Sequence, residues 1–218
     1  MTDRITLVID GKTVSAVAGE MLLWVALDND IYIPHLCGSR DDQEKPASCR
    51  LCFVEVDGRP LPVTACTLPV SEGLVVRTGG ERVDALVATG FELLMSNHRL
   101  DCKNCPANGD CALQQIAKTR KLKLKPKKLP VLERDLTVDD SVPGILFDPN
   151  KCVLCGHCIK ACLRDGNGIL GFTRRGFERV ISTFGDLPLA ESECSGCGSC
   201  AAVCPVGAWS AHLHAEAF

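Results

Sequence analysis

The sequence predicts an α+β protein: a small mixed sheet and short helices joined by cysteine-bearing loops. Three observations lead there. Two β-rich runs flank an Asp-Gly turn at the N-terminus, apolar residues recur at helical spacing from Val83 to Met95, and 15 of the 218 residues are cysteine. Taken in order, Ile5–Ile9 is a strand, Asp10-Gly11 a hairpin turn and Thr13–Val17 a second strand. Gly19-Glu20 then precede a compact apolar helix over Met21–Leu27. Phe53–Val56, Leu61–Ala65 and Leu74–Arg77 complete the sheet, with Asp57-Gly58 as another turn. The next helix should bury Val83, Leu86, Val87, Phe91, Leu94 and Met95, with Glu81 and Asp84 in its first turns, where the helix dipole favours acids. Asp110 is placed to cap a short helix carrying Leu113, Ile116 and Ala117.

Composition narrows the class. Apolar content is ordinary at 46%, but aromatics are only 5%, so small domains cut from this chain need staples other than a large core. The net charge of −3 argues against a nucleic-acid partner. Met1–Asp10 carries two acids and no long apolar run, and Met21–Leu27 is too short to span a bilayer. The expectation is a cytoplasmic protein. In a reducing compartment cysteines are ligands or nucleophiles more often than disulfides, and an odd total fits no closed disulfide framework. The segments read as residues 1–78, 79–120, a basic linker at 121–137, and 138–218. Seven Lys or Arg and no acid fall between Lys118 and Lys128. They form either a solvated connector or a docking strip for an acidic partner.

The cysteines fall into sets. The third segment holds two copies of one spacing, Cys152-x2-Cys155-x2-Cys158-x3-Cys162 and Cys194-x2-Cys197-x2-Cys200-x3-Cys204, set 42 residues apart. Three ligands from a tight loop and a fourth from the start of a helix suit a [4Fe–4S] cubane. In two-cluster ferredoxins the fourth cysteine serves the other cluster. That pattern assigns Cys152, Cys155, Cys158 and Cys204 to one cubane, and Cys162, Cys194, Cys197 and Cys200 to another. Structural zinc wants two ligand pairs separated by a longer spacer, which these quartets do not offer. Near the N-terminus, Cys37-x11-Cys49-x2-Cys52-x13-Cys66 places four thiolates in a loop-rich sheet domain and suits a [2Fe–2S] cluster, although its first gap is longer than in plant-type ferredoxins. The middle set, Cys102-x2-Cys105-x5-Cys111, is one ligand short of a cubane, and His98 stands four residues before Cys102.

Ile33-Pro34-His35-Leu36-Cys37, Ser48-Cys49-Arg50-Leu51-Cys52 and the His98-x3-Cys102-x2-Cys105-x5-Cys111 spacing resemble the N-terminal iron–sulfur module of the large NADH-dehydrogenase iron–sulfur subunit. [FeFe]-hydrogenases, NAD-linked formate dehydrogenases and the small diaphorase subunit of NAD-reducing hydrogenases share that module. The last segment resembles bacterial-type two-cluster ferredoxins, though Leu163 rather than proline follows Cys162. The resemblance covers nearly the whole chain. It implies a β-grasp [2Fe–2S] domain, a small helical [4Fe–4S] domain with His98 as the ligand beside three cysteines, and a 2[4Fe–4S] domain. His35 is read as a packing or surface residue, and Arg50 as either a hydrogen-bond donor near the cluster or a solvated side chain.

The functional expectation is a carrier of single electrons. No G-x-G-x-x-G follows a strand, each cluster is fully ligated by protein, and the chain ends fourteen residues after Cys204. Hydride, H2 and formate chemistry moves two electrons, so a flavin or metal centre elsewhere must split the pair. By family resemblance the expected partners are a flavoprotein diaphorase subunit carrying FMN and NAD(P), and a catalytic subunit such as a hydrogenase or formate dehydrogenase. These would form a hetero-oligomer, with ferredoxin a further possible partner. The alternatives are a free polyferredoxin shuttling among partners, with small weak interfaces, and a redox-sensing module.

Overall fold

The computed structural model describes residues 4–42, 45–132 and 134–211. The first residues of the 1–78 segment and those of the 138–218 segment beyond 211 lie outside this range. The chain forms two compact units, Met1–Leu93 and Leu94–Phe218.

In the first unit β1 (Arg4–Ile9) and β2 (Lys12–Val17) pair antiparallel, with Ile5 opposite Ala16 and Leu7 opposite Val14. Asp10 and Gly11 both take positive φ (50° and 80°), the paired requirement of a tight turn whose twist matches its strands. The helix α1 (Leu22–Asp28) buries Leu22, Leu23, Val25 and Ala26. Strands β3 (Phe53–Val56), β4 (Val63–Thr64) and β5 (Val75–Arg77) complete a five-stranded sheet of order β2-β1-β5-β3-β4. β1 and β5 run parallel, and the other pairs are antiparallel. One core joins Leu7, Ile9, Val14, Leu22, Leu23, Val54 and Val76, and Cys52 and Cys66 belong to it.

The strand expected over Leu61–Ala65 shrinks to Val63–Thr64. Pro62 has no N–H for the ladder, and Ala65–Thr67 turn into a short 3-10 helix that carries Cys66. Helix α2 (Glu81–Ser96) buries Val83, Val87, Phe91 and Met95, whereas Leu86 is 38% exposed and stands outside the apolar stripe. The division between the units falls inside α2.

The second unit is built from short pieces. Helix α3 (Ala112–Thr119) buries Leu113, Ile116 and Ala117. Its N-cap is Cys111, in extended conformation and without a side-chain cap; the expected cap, Asp110, lies one residue too early. Strands β6 (Ile145–Phe147) and β9 (Trp209–Ala211) pair antiparallel, with α4 (His157–Asp165), β7 (Gly171–Thr173), β8 (Val180–Ser182) and α5 (Ser199–Ala202) between them in sequence. β7 and β8 form a second ribbon. The 121–137 stretch holds no helix or strand among its described residues, but it is not a free tether. Leu132 N–H donates to the Ser96 carbonyl at 2.7 Å, and buried Asn150 exchanges two 2.8 Å hydrogen bonds with the Leu136 backbone.

Candidate iron–sulfur sites

Cys37, Cys49, Cys52 and Cys66 are all buried, and Cys52 and Cys66 are part of the sheet core. Cys49 N–H donates to Cys37 Sγ at 3.4 Å. Hydrogen bonding from Cys49 draws the Cys37 thiol down and pushes Cys49 up, and Cys52 and Cys66 form the same kind of pair. Four sulfurs arranged this way hold a ready donor set for a small anionic centre. Arg50, between Cys49 and Cys52, takes φ 56°, and its guanidinium lies over the Phe53 ring at 4.9 Å rather than on a cysteine. His35 packs edge-on against Trp24, with Nδ1 donating to the Ile33 carbonyl at 2.9 Å, which fits the packing role expected of it.

Helix α2 presses on this loop at Gly90, where a Cβ would stand 2.8 Å from the Arg50 carbonyl oxygen. Inside a helix, Gly→Ala ordinarily gains about 1 kcal/mol. Here overpacking against backbone costs about 1–3 kcal/mol, and the sign reverses. Gly90→Ala is therefore expected to lower the stability of the first unit and perturb the visible spectrum of its cysteine site. A urea melt that shows stabilisation would refute the close approach.

In the second unit, Cys102 and Cys105 bracket a short 3-10 turn (Cys102–Asn104), and Cys111 caps α3. Burial pushes the Cys111 thiol up, and the charges of Cys105 and Cys102 push it further in the same direction, so the three sulfurs share a neighbourhood. His98 follows the end of α2, its N–H on the Met95 carbonyl, and is 8% exposed. Its ring hydrogen bond runs to the Lys151 carbonyl, at 2.9 Å from Nδ1. A carbonyl only accepts, so Nδ1 carries the proton and Nε2 keeps its lone pair. Metal-ligating histidines are held by this kind of hydrogen bond from the other ring nitrogen. The carbonyl is fixed in turn: Lys151 Nζ pairs with Asp148 at 3.3 Å, and Asp148 accepts from Asn150 N and Nδ2. Burial pushes the His98 pKa down, which keeps the imidazole neutral.

The two C-terminal loops repeat at the level of backbone. Leu154 and Gly156 take φ 55° and 82°, and the matching Gly196 and Gly198 take 68° and 73°. Alternating left-handed residues of this kind turn successive N–H groups toward one side, an arrangement that favours anions and recurs at iron–sulfur sites. α4 and α5 begin directly after Gly156 and Gly198. The fourth cysteines do not sit at a helix start, as the spacing suggested. Cys162 lies in the second half of α4 and Cys204 two residues beyond α5, because Cys158 and Cys200 already occupy the first turns.

Grouping crosses between the loops. Cys152, Cys155, Cys158 and Cys204 line one cavity. A Cβ on Gly166 would touch both Cys162 Sγ (3.6 Å) and Cys197 Sγ (3.5 Å), which brings Cys162 to the other loop. Burial raises the Cys152 thiol to about 12 and the Cys200 thiol to about 11, whereas hydrogen bonds from Ser199 pull exposed Cys197 down. The middle and last segments meet here as well. Ala112 N–H donates to the Pro205 carbonyl at 2.9 Å, and a Cβ on Gly207 would overlap Cys105 Sγ. Gly90, Gly207 and the Lys151 carbonyl went unseen in the sequence; the available signal was a lone glycine inside an apolar-periodic helix at position 90.

Among the described residues no three His, Cys, Asp or Glu side chains converge on one point as a single ion requires. The fit to polynuclear clusters therefore rests on thiolate chemistry, on the four-cysteine cavity and on the anion-favouring loops. No helix among the described residues is long and apolar enough to cross a membrane.

Comparison with known proteins matches three iron–sulfur family models in order along the chain. A 2Fe-2S iron-sulfur cluster binding domain matches residues 2–81, the NADH-ubiquinone oxidoreductase-G iron-sulfur binding region 89–123, and a 4Fe-4S dicluster domain 151–208. The chain is 36% identical over 216 residues to the NADP-reducing hydrogenase subunit HndD of Solidesulfovibrio fructosivorans, covering 95% of this chain and 36% of that one. It is 36% identical over 204 residues to the NADPH-Fe(3+) oxidoreductase subunit alpha of Geobacter sulfurreducens, covering 93% and 24%. It thus spans about a quarter to a third of these curated relatives. In solved structures it is similar to a chain of the NAD+-reducing [NiFe]-hydrogenase in the H2-reduced state. That match has a TM-score of 0.84 and 29% identity, and covers 98% of this chain and 90% of the other.

Proposed function

Because this chain is an iron–sulfur module of the kind shared by NADH dehydrogenase G subunits and NAD(P)-linked hydrogenases, we propose that it is an electron-transfer subunit holding one [2Fe–2S] and three [4Fe–4S] clusters. It would carry single electrons between a flavoprotein that binds FMN and NAD(P) and a catalytic subunit such as a hydrogenase or formate dehydrogenase. The domains proposed for this are 1–78, 79–120 and 138–218, with 121–137 joining the last two. The observation that carries the reading is the crossed grouping of the C-terminal cysteines, Cys204 with the 152–158 loop and Cys162 beside Cys197.

When bound, the clusters supply reversible one-electron chemistry. The chain's own residues supply sixteen donors: Cys37, Cys49, Cys52 and Cys66; His98, Cys102, Cys105 and Cys111; Cys152, Cys155, Cys158 and Cys204; and Cys162, Cys194, Cys197 and Cys200. Burial of Cys37, Cys49, Cys52, Cys66, Cys158 and Cys200 excludes water there and disfavours unpaired thiolates. Backbone N–H groups of the two loops offset the negative charge. Exposed Cys197 marks the set that lies nearest the surface. Along residues 121–127, exposed Lys121, Lys123, Lys125 and Lys127 alternate with half-buried Leu122, Leu124 and Pro126, a run of positive charge suited to an acidic partner.

Anaerobically reconstituted protein is expected to hold about 14 Fe per chain, and a count near 10 would remove one cubane. Isolation of the native protein tests the rest. Recovery in a stoichiometric flavin-containing complex supports the subunit reading, and recovery of the chain alone turns it toward a free polyferredoxin.

A further inference from the structure

Trp209 has no part in the ligand assignment, yet it is built into one of the sites. It is 4% exposed, sits opposite Phe147 in the β6–β9 ribbon and stacks on that ring at 4.1 Å and 13°. The Asp148 N–H to Ala208 carbonyl bond, at 2.7 Å, closes the ribbon beside it. The indole lines the cavity of Cys152, Cys155, Cys158 and Cys204, whose other walls include the side chains of Val153, Ile181, Val206 and Ala208. Its N–H is buried and has no acceptor in the polypeptide among the described residues. A buried donor without an acceptor is costly, and a ring locked by stacking cannot turn away to find one.

We propose that Trp209 donates its indole N–H to a ligand sulfur of this cavity when Cys152, Cys155, Cys158 and Cys204 hold a cluster, and so raises the potential of that one [4Fe–4S] site relative to the other two. The inference rests on the ligand assignment above. A hydrogen bond to a ligand sulfur strengthens as the cluster gains an electron, because the sulfur then carries more negative charge. It therefore stabilises the reduced form. Hydrogen bonds to sulfur are among the determinants of iron–sulfur potentials. Forty-two residues earlier the repeat places Asn167 at the matching position, and its amide donates to the Glu193 carbonyl, so the indole contact is particular to one site.

The test is Trp209→Phe in the full, reconstituted chain, which keeps an aromatic ring against Phe147 and deletes the N–H. An EPR-monitored redox titration should show one [4Fe–4S] wave moving to lower potential with the others in place. Resonance Raman spectra should lose the H2O/D2O sensitivity of one set of Fe–S stretches. Unchanged midpoints at wild-type iron content overturn the proposal, as does a common shift of all waves, which reports general loosening. If Trp209→Phe loads less iron, site-specific replacement of the Trp209 indole by benzothiophene keeps the ring shape without the N–H. An unmoved midpoint in that protein is equally decisive against the bond. Failure of the underlying ligand assignment would show separately, as a wild-type chain about 4 Fe short of about 14 before any substitution is made.

Discussion

Chelating the iron is expected to unfold residues 94–218 while the sheet of residues 1–93 stays folded. The two units differ in what holds them. The first has one contiguous apolar core that runs through β1, β2, β3, β5 and α1, built mostly of aliphatic residues with Cys52 and Cys66 among them. The second has three-residue strands, helices of four to nine residues and two isolated two-stranded ribbons. Helices this short and ribbons of two strands are marginal in water. Metal binding at structural cysteine sites of small domains is worth on the order of 10 kcal/mol per site, comparable to the whole stability of an ordinary domain at about 5–15 kcal/mol. Losing three such sites from one unit exceeds anything its apolar contacts supply. Peptide-resolved hydrogen exchange on the apo chain should find protection kept in 4–17 and 22–28 and lost in 112–119, 157–165 and 199–211. Protection persisting through α4 without iron would overturn this.

The same coupling sets a pH dependence for rebuilding the second unit. Cysteine thiols released into the unfolded apo unit titrate at about 8.5, so they are protonated at neutral pH. Each must release a proton on ligation. Reconstitution therefore strengthens as pH rises and weakens on acidification.

Local features were legible from sequence, and long-range ones were not. The Asp10-Gly11 turn, α1, α2 and α3 follow from residues close in the chain, and the cysteine quartets are visible because tight loops place ligands at fixed short intervals. The family of the chain followed from the His98–Cys111 interval for the same reason. The β6–β9 ribbon escaped notice because its strands are three residues long and far apart in sequence, with no hairpin turn to announce the pairing. Leu86 matched the apolar period of α2 but faces outward, since periodicity marks a stripe without saying how wide the covering surface is. For Arg50 the sequence leaves a hydrogen bond near the cluster and a solvated side chain both open, and adjacency could not foresee the contact of its guanidinium with the Phe53 ring. Gly90 and Gly207 are needed for contacts with residues remote in sequence, Arg50 and Cys105, which no local pattern encodes.

His98→Ala should cost the chain about 4 Fe, and His98→Cys should keep the iron but move one [4Fe–4S] wave to lower potential. The reasoning starts from charge. A neutral imidazole leaves its cluster one unit less negative than a thiolate would, and replacing cysteine by histidine raises the potential of Rieske centres on related grounds. Restoring a thiolate at position 98 adds that charge back and disfavours the reduced form. Its surroundings here oppose the change further. The Lys151 carbonyl, held by the Asp148–Lys151–Asn150 cluster, accepts the Nδ1 proton of His98. A ligating cysteine has no proton to offer, so the carbonyl would face an anion with its hydrogen bond unmade, at a cost of about 1–3 kcal/mol. His98→Cys should therefore bind its cluster less tightly as well as at lower potential. Acidification adds an independent signature. The buried imidazole has a depressed pKa, so it stays neutral and able to ligate until the pH falls below the range of an exposed histidine, after which protons compete with iron. Iron analysis and EPR titration of the two variants side by side decide the matter: full iron and unmoved potentials in His98→Ala would remove His98 from the ligand set.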